Sequence, residues 1–498
     1  MRILLASSEV LPYSKTGGLA DMVGALAKFL ARAGHKVGVV TPLYRGIREK
    51  FAGLRPLDWK LDLPLGAGHV AGKIWTLEPA AGLTIYFVQQ DEFFDRVELY
   101  QKQGVDYPDN AERFIFFSKC VVDLARYLPW SPELINVHEW QTALAAVFAR
   151  DQKLRDGWRA TPPVCLTIHN LAYQGIFEAG KFGLTNLPGS YFQVEGLEYY
   201  GAMNCLKGGI VHADEITTVS PRYAREITTE LMGCGLDGVL RRRQEALAGI
   251  LNGVDYDEWK TEGNPYLEHG YSAADLSGKQ CNKAVLQREF ALPEAPETPL
   301  FGTVSRLADQ KGVALQLAAL QEMLAAEMQF VLLGNGQREY ERGYSALAQR
   351  YPDKCAVHIG FDTGLSHRLE AGCDFYLMPS RFEPCGLNQM YSLRYGTVPI
   401  VRVTGGLDDS VTDVSENAEK ADGIKFSEYS VRALVRAIRK ALALYADKPL
   451  LRHYQRNGMA RDFSWERTAA AYAQLYRRLR ARGKAGKDNI LPPGGPTC

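Results

Sequence analysis

Short apolar runs alternate with stretches of helical spacing along the whole chain, which predicts strands and helices in turn. Arg2–Ser7 reads as a buried parallel strand, Asp21–Ala33 as a helix stopped by Gly34, and His35–Pro42 as the next strand. A glycine-containing loop through Gly18 joins the first two, so the chain opens as a βαβ unit. Leu57–Leu63 and Ile74–Leu77 alternate in the manner of antiparallel strands before the strand Leu83–Val88. Ala111–Tyr127 is an amphipathic helix, Ile135–His138 a strand end, and Gln141–Arg150 the start of another helix. Val164–Ile168 and Glu215–Ser220 are strands, with Pro221–Thr229 helical after the second. Ile250–Asp255 reads as a strand and turn, followed by a polar stretch, 261–270, where the connection between domains is placed. A second α/β series restarts at Leu300–Ser305 and continues through Phe330–Gly334, Ala356–Gly360, Phe375–Met378 and Val398–Val401. Helices near 430–445 and 465–483 complete it. The pattern predicts two doubly wound α/β domains.

Ligands of open α/β sheets bind outside the carboxyl ends of the strands, so the loops there carry the candidate chemistry. Arg381–Leu387 lies between a strand and the helical stretch Asn388–Gly396. It offers the Glu383 carboxylate as an acceptor and the Gly386 and Leu387 amides as donors suited to an anion. Arg306 and Lys311 share the loop after the strand 300–305. An Arg grips phosphate oxygens in bidentate fashion and a Lys adds a point charge, so the two together read as anion ligands. Lys15 precedes Gly17-Gly18 at another strand end and reads as a cation reaching for a ligand anion. His169-Asn170 follow the strand 164–168. His138 and Glu139 stand at a further strand–helix junction, where a packed histidine and a ligand contact are equally compatible with the sequence. The aromatic, glycine-rich segment Gly175–Tyr200 suits a loop lying over a sugar or a packed insertion.

Composition narrows the choice. The chain has 498 residues, 46% hydrophobic, with a formal net charge of +1. No global field favours nucleic acid, and no stretch reaches the ~18 apolar residues of a membrane span. Two local basic runs, Arg241–Arg243 and 477–487, read as solvated faces or a frayed tail. The nine cysteines include no C-x-x-C pair, as expected of reduced thiols in a cytoplasmic protein; Cys385 reads as a small packed side chain. The Asp255-Tyr256-Asp257 string follows Asn-Gly in a turn and is not read as a metal site. Neither first loop has the full G-x-G-x-x-G fingerprint, which disfavours a nicotinamide-dependent oxidoreductase.

Four motifs in register carry a family resemblance. Lys15-Thr16-Gly17-Gly18-Leu19-Ala20-Asp21, Thr167–Gly175, Ser305-Arg306-Leu307 with Gln310-Lys311-Gly312, and Pro379–Leu387 with Thr404–Asp409 resemble the bacterial glycogen synthases and plant starch synthases. The resemblance implies a GT-B fold: two Rossmann-like domains facing across a cleft, with the C-terminal helix crossing back to the first. Residues 1–248 would be the acceptor-side domain, 249–463 the nucleotide-sugar domain, 464–485 the returning helix and 486–498 a tail. It implies glucose transfer from ADP-glucose to the non-reducing end of an α-1,4-glucan, with retained configuration, no cofactor and no metal. Catalytic roles would fall to Glu383, His169, Lys311 and Arg306. Lys15, Gly18, Asp21, Asn252, Phe361, Gly386 and Leu387 would complete the ADP-glucose site, with Phe361 replacing a Tyr against the adenine. Glu139 stands where the family usually has Asp, one methylene shorter. A UDP-sugar transferase of the same fold and a non-catalytic glucan-binding protein are the alternatives. Oligomeric state is not legible.

Overall fold

The computed structural model describes residues 1–155, 157, 158 and 160–488, which divide into two compact units. The first comprises Met1–Val219, Ala224–Ile250 and the C-terminal segment from Trp465; the second comprises Ser220–Tyr223 and Leu251–Ser464.

The first unit is built on one twisted sheet. Eight of its ten strands, in chain order, are β1 (Arg2–Ala6), β2 (Lys36–Pro42), β3 (Gly68–Ala80), β4 (Leu83–Gln89), β5 (Leu134–His138), β6 (Val164–Ile168), β7 (Glu215–Thr218) and β8 (Leu247–Gly249). They lie in the order β8-β7-β6-β5-β1-β2-β4-β3, and every pairing is parallel except β3 with β4. The order reverses between β1 and β5. The helix α1 (Gly18–Arg32) buries Met22, Val23, Leu26, Phe29 and Leu30, one face at helical spacing. It begins three residues earlier than the apolar periodicity indicated, because Gly18 and Leu19 continue its first turn. The helix α2 (Asn110–Tyr127) buries Phe114, Phe117, Val121 and Leu124.

The C-terminal helix, Trp465–Asp488, packs on this unit: Trp465 stacks near Phe29 at 6.4 Å and the buried Tyr476 donates to Asn136 Oδ1 at 2.6 Å. Asn136 in turn donates to Cys165 O at 3.0 Å and Thr167 Oγ1 at 2.9 Å, so one amide joins helix, β5 and β6. The basic run from Arg477 is therefore helical rather than frayed through residue 488, and Arg480 pairs with Glu133 at 2.9 Å. The tail expected over 486–498 lies from 489 onward outside the described residues.

The second unit has a six-stranded, fully parallel sheet of β9 (Leu300–Val304), β10 (Gln329–Gly334), β11 (Cys355–Ile359), β12 (Phe375–Met378), β13 (Val398–Arg402) and β14 (Ile424–Phe426). The spatial order β11-β10-β9-β12-β13-β14 is the 3-2-1-4-5-6 of a Rossmann sheet, reversing between β9 and β12. Its core gathers Phe301, Phe330, Tyr344, Phe375, Leu377 and Ile400. At the amino end of β9 and β12, buried Lys283 bridges Asp374 Oδ2 (2.8 Å), Thr298 O (2.7 Å) and Tyr445 (2.9 Å).

Three expected elements differ. The run Leu57–Leu63 is broken: a turn at Leu57–Trp59 separates the short strands Arg55–Pro56 and Leu61–Leu65, since Pro56 interrupts the donor pattern. Ile250–Asp255 is not a strand; the ladder with β7 ends at Thr218 opposite Gly249, and Ile250 onward is loop apart from an isolated bridge at Val254. The Gly175–Tyr200 segment contains the strand Ile176–Glu178 and two 3-10 turns instead of open loop.

Replacing Tyr476 with Phe should leave Asn136 Oδ1 buried without its hydroxyl donor, at a cost of about 1–3 kcal/mol. Calorimetry should show a lower melting temperature for the transition of the first unit; an unchanged transition would show that this bond does not anchor the helix.

Candidate functional site

In the second unit the candidate residues gather where the strand order reverses. The ladder between β9 and β12 spans only Phe301–Phe375 and Gly302–Tyr376. Beyond it Tyr376 fills the space: its hydroxyl donates to Val304 O and accepts from Val304 N and from Asn388 Nδ2, each at 2.8 Å. The two loops then leave the sheet together. Lys311 Nζ lies 2.7 Å from Glu383 Oε2, which also accepts from Ser380 Oγ at 3.0 Å. Glu383 is buried and Lys311 half-buried. Among the described residues Glu383 Oε1 accepts no hydrogen bond, so one oxygen is engaged and one is available.

Backbone packing keeps these loops close. Gly312 has φ +69°, and a Cβ there would stand 2.0 Å from Pro379 O. A Cβ on Gly405, at φ +45°, would stand equally close to Glu383 O. Gly386, at φ +70°, turns the chain so that Leu387 becomes the N-cap of the helix α3 (Asn388–Arg394) without a side-chain cap bond. The first amides of a helix lack intrahelical partners and suit an anionic acceptor. Cys385 is buried in the same loop, and burial raises its thiol pKa to about 12, which leaves it inert. Arg306 is exposed, and its guanidinium has no hydrogen bond or ion pair among the described residues. Phe361, 77% exposed, follows β11 with its ring in solvent. Asn252 is buried, and its Oδ1 finds no partner among the described residues.

In the first unit, Lys15 Nζ meets Asp21 Oδ1 at 2.7 Å, with both side chains partly exposed. Gly18 is the first residue of α1, and a Cβ at either Gly17 or Gly18 would meet nothing within 4 Å, so the loop face there is open. The residues that hold this loop were not singled out from sequence. Glu9, buried, accepts from Thr16 N, from Thr16 Oγ1 (2.6 Å), from Gly17 N (3.3 Å) and from the Tyr100 hydroxyl (2.8 Å). Tyr100 O accepts from Asn110 Nδ2 at 3.0 Å, and Asn110 Oδ1 accepts from Arg113, fully buried on α2, which also donates to Phe93 O and Leu99 O. A Glu at the first strand end was visible in the sequence, but its partner lies 91 residues away.

His169 and His138 meet at the ends of β6 and β5, Nε2 to Nδ1, at 3.0 Å. Burial lowers the pKa of His169 to about 3 and puts His138 well below the ordinary value, the neighbouring ring adding to the effect there. Both rings are neutral near pH 7, so one nitrogen donates and the other accepts. Glu139, in the left-handed region at φ +63°, turns its carboxylate back under this pair and accepts from His169 N and from Asn170 N at 2.9 Å. Burial raises its pKa to about 7, with the two amides pulling in the opposite direction. Among the described residues no group of three or more His, Cys, Asp or Glu could hold a metal ion, and Asp255 Oδ1 is used locally by Asp257 N at 3.1 Å. No helix among them is long and apolar enough to cross a membrane.

For His169 the sign of the pH effect follows from its depressed pKa. Between pH 6.5 and about 3 the unfolded chain binds more protons than the folded one, so stability falls as pH falls through that window. Asn at position 169 cannot take up that proton. The variant should show a flatter decline of melting temperature from pH 6.5 to 4 than the parent; parallel curves would remove the ring from the acid response.

Known proteins match the chain over nearly its full length. Residues 2–242 match the family model described as starch synthase catalytic domain, and 287–461 that of glycosyl transferases group 1. The chain is 47% identical over 484 residues to a glycogen synthase of Anaeromyxobacter sp. (strain Fw109-5), covering 97% of this chain and 100% of that one. Glycogen synthase 1 of Geobacter metallireducens is 44% identical, with 97% of each chain covered. Among solved structures, the catalytic domain of starch synthase IV from Arabidopsis thaliana, bound to ADP and acarbose, superposes with a TM-score of 0.86 at 33% identity. That match covers 97% of this chain and 99% of the other. A sucrose-phosphate synthase from Thermosynechococcus elongatus, at 19% identity and TM-score 0.60, shares the fold. With two Rossmann-like sheets, the Lys311–Glu383 pair at a strand-order reversal and near-complete coverage of these relatives, the chain belongs to the glycogen synthase family.

Proposed function

We propose that this protein transfers glucose from ADP-glucose to the non-reducing end of an α-1,4-glucan, with retention of configuration. The observation that carries the reading is the Lys311–Glu383 contact of 2.7 Å at the switch point of the second sheet, with Glu383 Oε1 still available. A nucleoside diphosphate leaving group gains negative charge as the anomeric bond breaks. Cations fixed beside it stabilise the transition state more than the bound donor. Arg306 and Lys311 supply those cations, and the Gly386 and Leu387 amides add a backbone donor pair. Glu383 accepts from glucose hydroxyls and orients the sugar. Phe361 offers its face to the adenine, and the unpaired Asn252 Oδ1 an acceptor to a ligand hydroxyl.

In the first unit, Lys15 and Gly18 are assigned to donor phosphate, Asp21 to donor or acceptor, and His169 to the transferred glucose. A neutral imidazole suits that last role, since it can donate one hydrogen bond to a hydroxyl without drawing the leaving diphosphate away. Curated relatives named glycogen synthase over nearly the full chain support the same reading, as does a similar solved structure with ADP bound. A cytoplasmic location fits the unpaired cysteines among the described residues.

The purified protein, given glycogen and either labelled ADP-glucose or labelled UDP-glucose, should incorporate glucose from the first and release ADP. Faster transfer from UDP-glucose would overturn the donor assignment, and glycogen retention with neither donor turned over would leave a binding protein. Glu383→Ala and Lys311→Ala should each lower kcat by about tenfold or more, on the scale of losing one charge-stabilising contact. Circular dichroism should show the fold intact. A variant with near-parental kcat would remove that residue from the site.

A further inference from the structure

Behind the loops of the second unit lies a carboxyl group that the transfer chemistry leaves unused. Glu370 stands on the helix Thr363–Gly372 and is fully buried. That helix and the turn after it sit directly on β9: a Cβ on Gly302 would stand 2.4 Å from Cys373 Sγ and 2.7 Å from Leu369 Cδ2. The carboxyl reaches α3, where Asn388 Nδ2 donates to Oε1 at 3.3 Å and Ser392 Oγ lies 2.6 Å from Oε2. Asn388 Nδ2 also donates to the Tyr376 hydroxyl at 2.8 Å, and that hydroxyl holds both backbone groups of Val304. Glu370 thus touches the residue that follows Leu387 and, through Asn388 and Tyr376, the strand end two residues before Arg306.

The hydrogens available there fix the state of this carboxyl. Ser392 Oγ also lies 2.8 Å from Asn388 O. The hydroxyl has one hydrogen, and a carbonyl oxygen only accepts. Beside an ionised Glu370 both neighbours would compete for that hydrogen, and one pair of oxygens would face each other with no proton between them. A neutral carboxyl removes the conflict: Oε2–H donates to Ser392 Oγ, Ser392 Oγ–H to Asn388 O, and Oε1 still accepts from Asn388. The titratable groups facing Glu370 are Lys279 from the helix Ser277–Glu289, the phenols of Tyr271, Tyr376 and Tyr395, and the Cys373 thiol. Burial pushes the phenols and the thiol up, so they stay neutral. Burial lowers Lys279 to about 8, and its ammonium donates to Ala371 O at 2.8 Å and Thr397 Oγ1 at 2.6 Å. Burial raises the Glu370 carboxyl to about 8, against the pull of Ser392, Asn388, Lys279 and Tyr376.

We propose that Glu370 is a positioning residue of the donor site: as a neutral carboxylic acid it fixes the start of α3, and with it the Gly386 and Leu387 amides, and it releases that hold when it ionises. The inference rests on the transfer reading above for the identity of the ligand, a nucleoside diphosphate. An ionised carboxyl in this place would be fully buried with no ammonium or guanidinium bonded to it. Such a charge is costly unless donors are brought to it, so α3 has to give way as the proton leaves.

Gln reproduces the neutral acid, with an N–H toward Ser392 and a carbonyl toward Asn388, but it does not titrate. Titration calorimetry with ADP should give parent and Glu370→Gln the same Kd at pH 7. Between pH 7 and pH 9, either side of the carboxyl's value of about 8, the parental Kd should rise relative to that of Glu370→Gln. The expected rise is about threefold or more, the scale of one neutral hydrogen bond. Glu370→Met, apolar and of similar length, should bind ADP more weakly than the parent already at pH 7. The melting temperature reports the proton itself. The folded carboxyl keeps it up to about 8 and the unfolded one loses it near 4.5, so parental stability falls as pH rises through that window. Glu370→Gln should flatten the decline. Parallel melting curves would show an ionised Glu370 and overturn the proposal, as would parallel Kd profiles or a parental Kd in a folded Glu370→Met. If Glu370→Met does not fold, the Glu370→Gln profiles decide. ADP release from ADP-glucose by the parental protein is assayed separately. Its absence with ADP still bound would sink the transfer reading and leave the positioning role to the Kd profiles, whereas a parent that binds no ADP would overturn both.

Discussion

A carboxylate buried at the end of a parallel strand is costly unless donors converge on it, and that constraint shapes every loop of the candidate site. Glu383 is buried beside one lysine and one serine hydroxyl. Such a pair contributes little net stability, because desolvating the charges offsets their attraction. Packing an apolar pair in the same space would hold the fold as well. What the pair adds is geometry: a carboxylate with one oxygen fixed and the other available, beside an ammonium with two further N–H donors. The glycines around it serve the same end. Gly312 against Pro379 O and Gly405 against Glu383 O set loop backbones at contacts that any side chain would block.

The first unit reaches a similar result with different partners. Glu9 gathers the amides of Thr16 and Gly17, and Glu139 those of His169 and Asn170. In each case a carboxylate that sits low in the loop accepts from backbone further along, so the loop is held from beneath and its outer face stays open. The two acids differ in their setting. Glu9 also takes two hydroxyls, whereas among the described residues Glu139 takes only amides, and burial lifts its pKa to about 7. Its carboxyl is thus the more readily protonated of the two, and it lies beneath the His169–His138 pair.

Much of this was legible in the sequence, for reasons that vary with the element. The strands of the second sheet are continuous apolar runs because both faces are covered, and their length separates them from helices. Glu383, Lys311 and Arg306 were singled out because open α/β sheets bind ligands outside the carboxyl ends of their strands, and two cations share one such loop. Glu9 and Tyr100 were not, since their contact joins residues 91 apart and neither carries a local pattern. Ile250–Asp255 read as a strand because its apolar residues continue those of β8; the ladder nevertheless stops at Gly249, where the partner strand β7 ends. Periodicity reports which residues are covered, and it is silent on where a neighbour runs out.

The candidate cations differ in how firmly they are held, and that difference bears on ligand binding. Lys311 is half-buried and locked to a buried carboxylate, so moving it would strand Glu383 without its counter-ion. Lys15 meets Asp21 in the first turn of α1 with both side chains partly in water. An exposed pair of that kind is held by about 0–1 kcal/mol, and Asp21 retains a favourable position near the helix N-terminus when its partner leaves. Arg306 is engaged by no described residue at all. In the second unit an anion would thus meet one fixed cation, Lys311, that defines where it sits and one, Arg306, that can reach it at little cost. Precision comes from the buried pair, and the exposed cations add charge without having to be pre-placed.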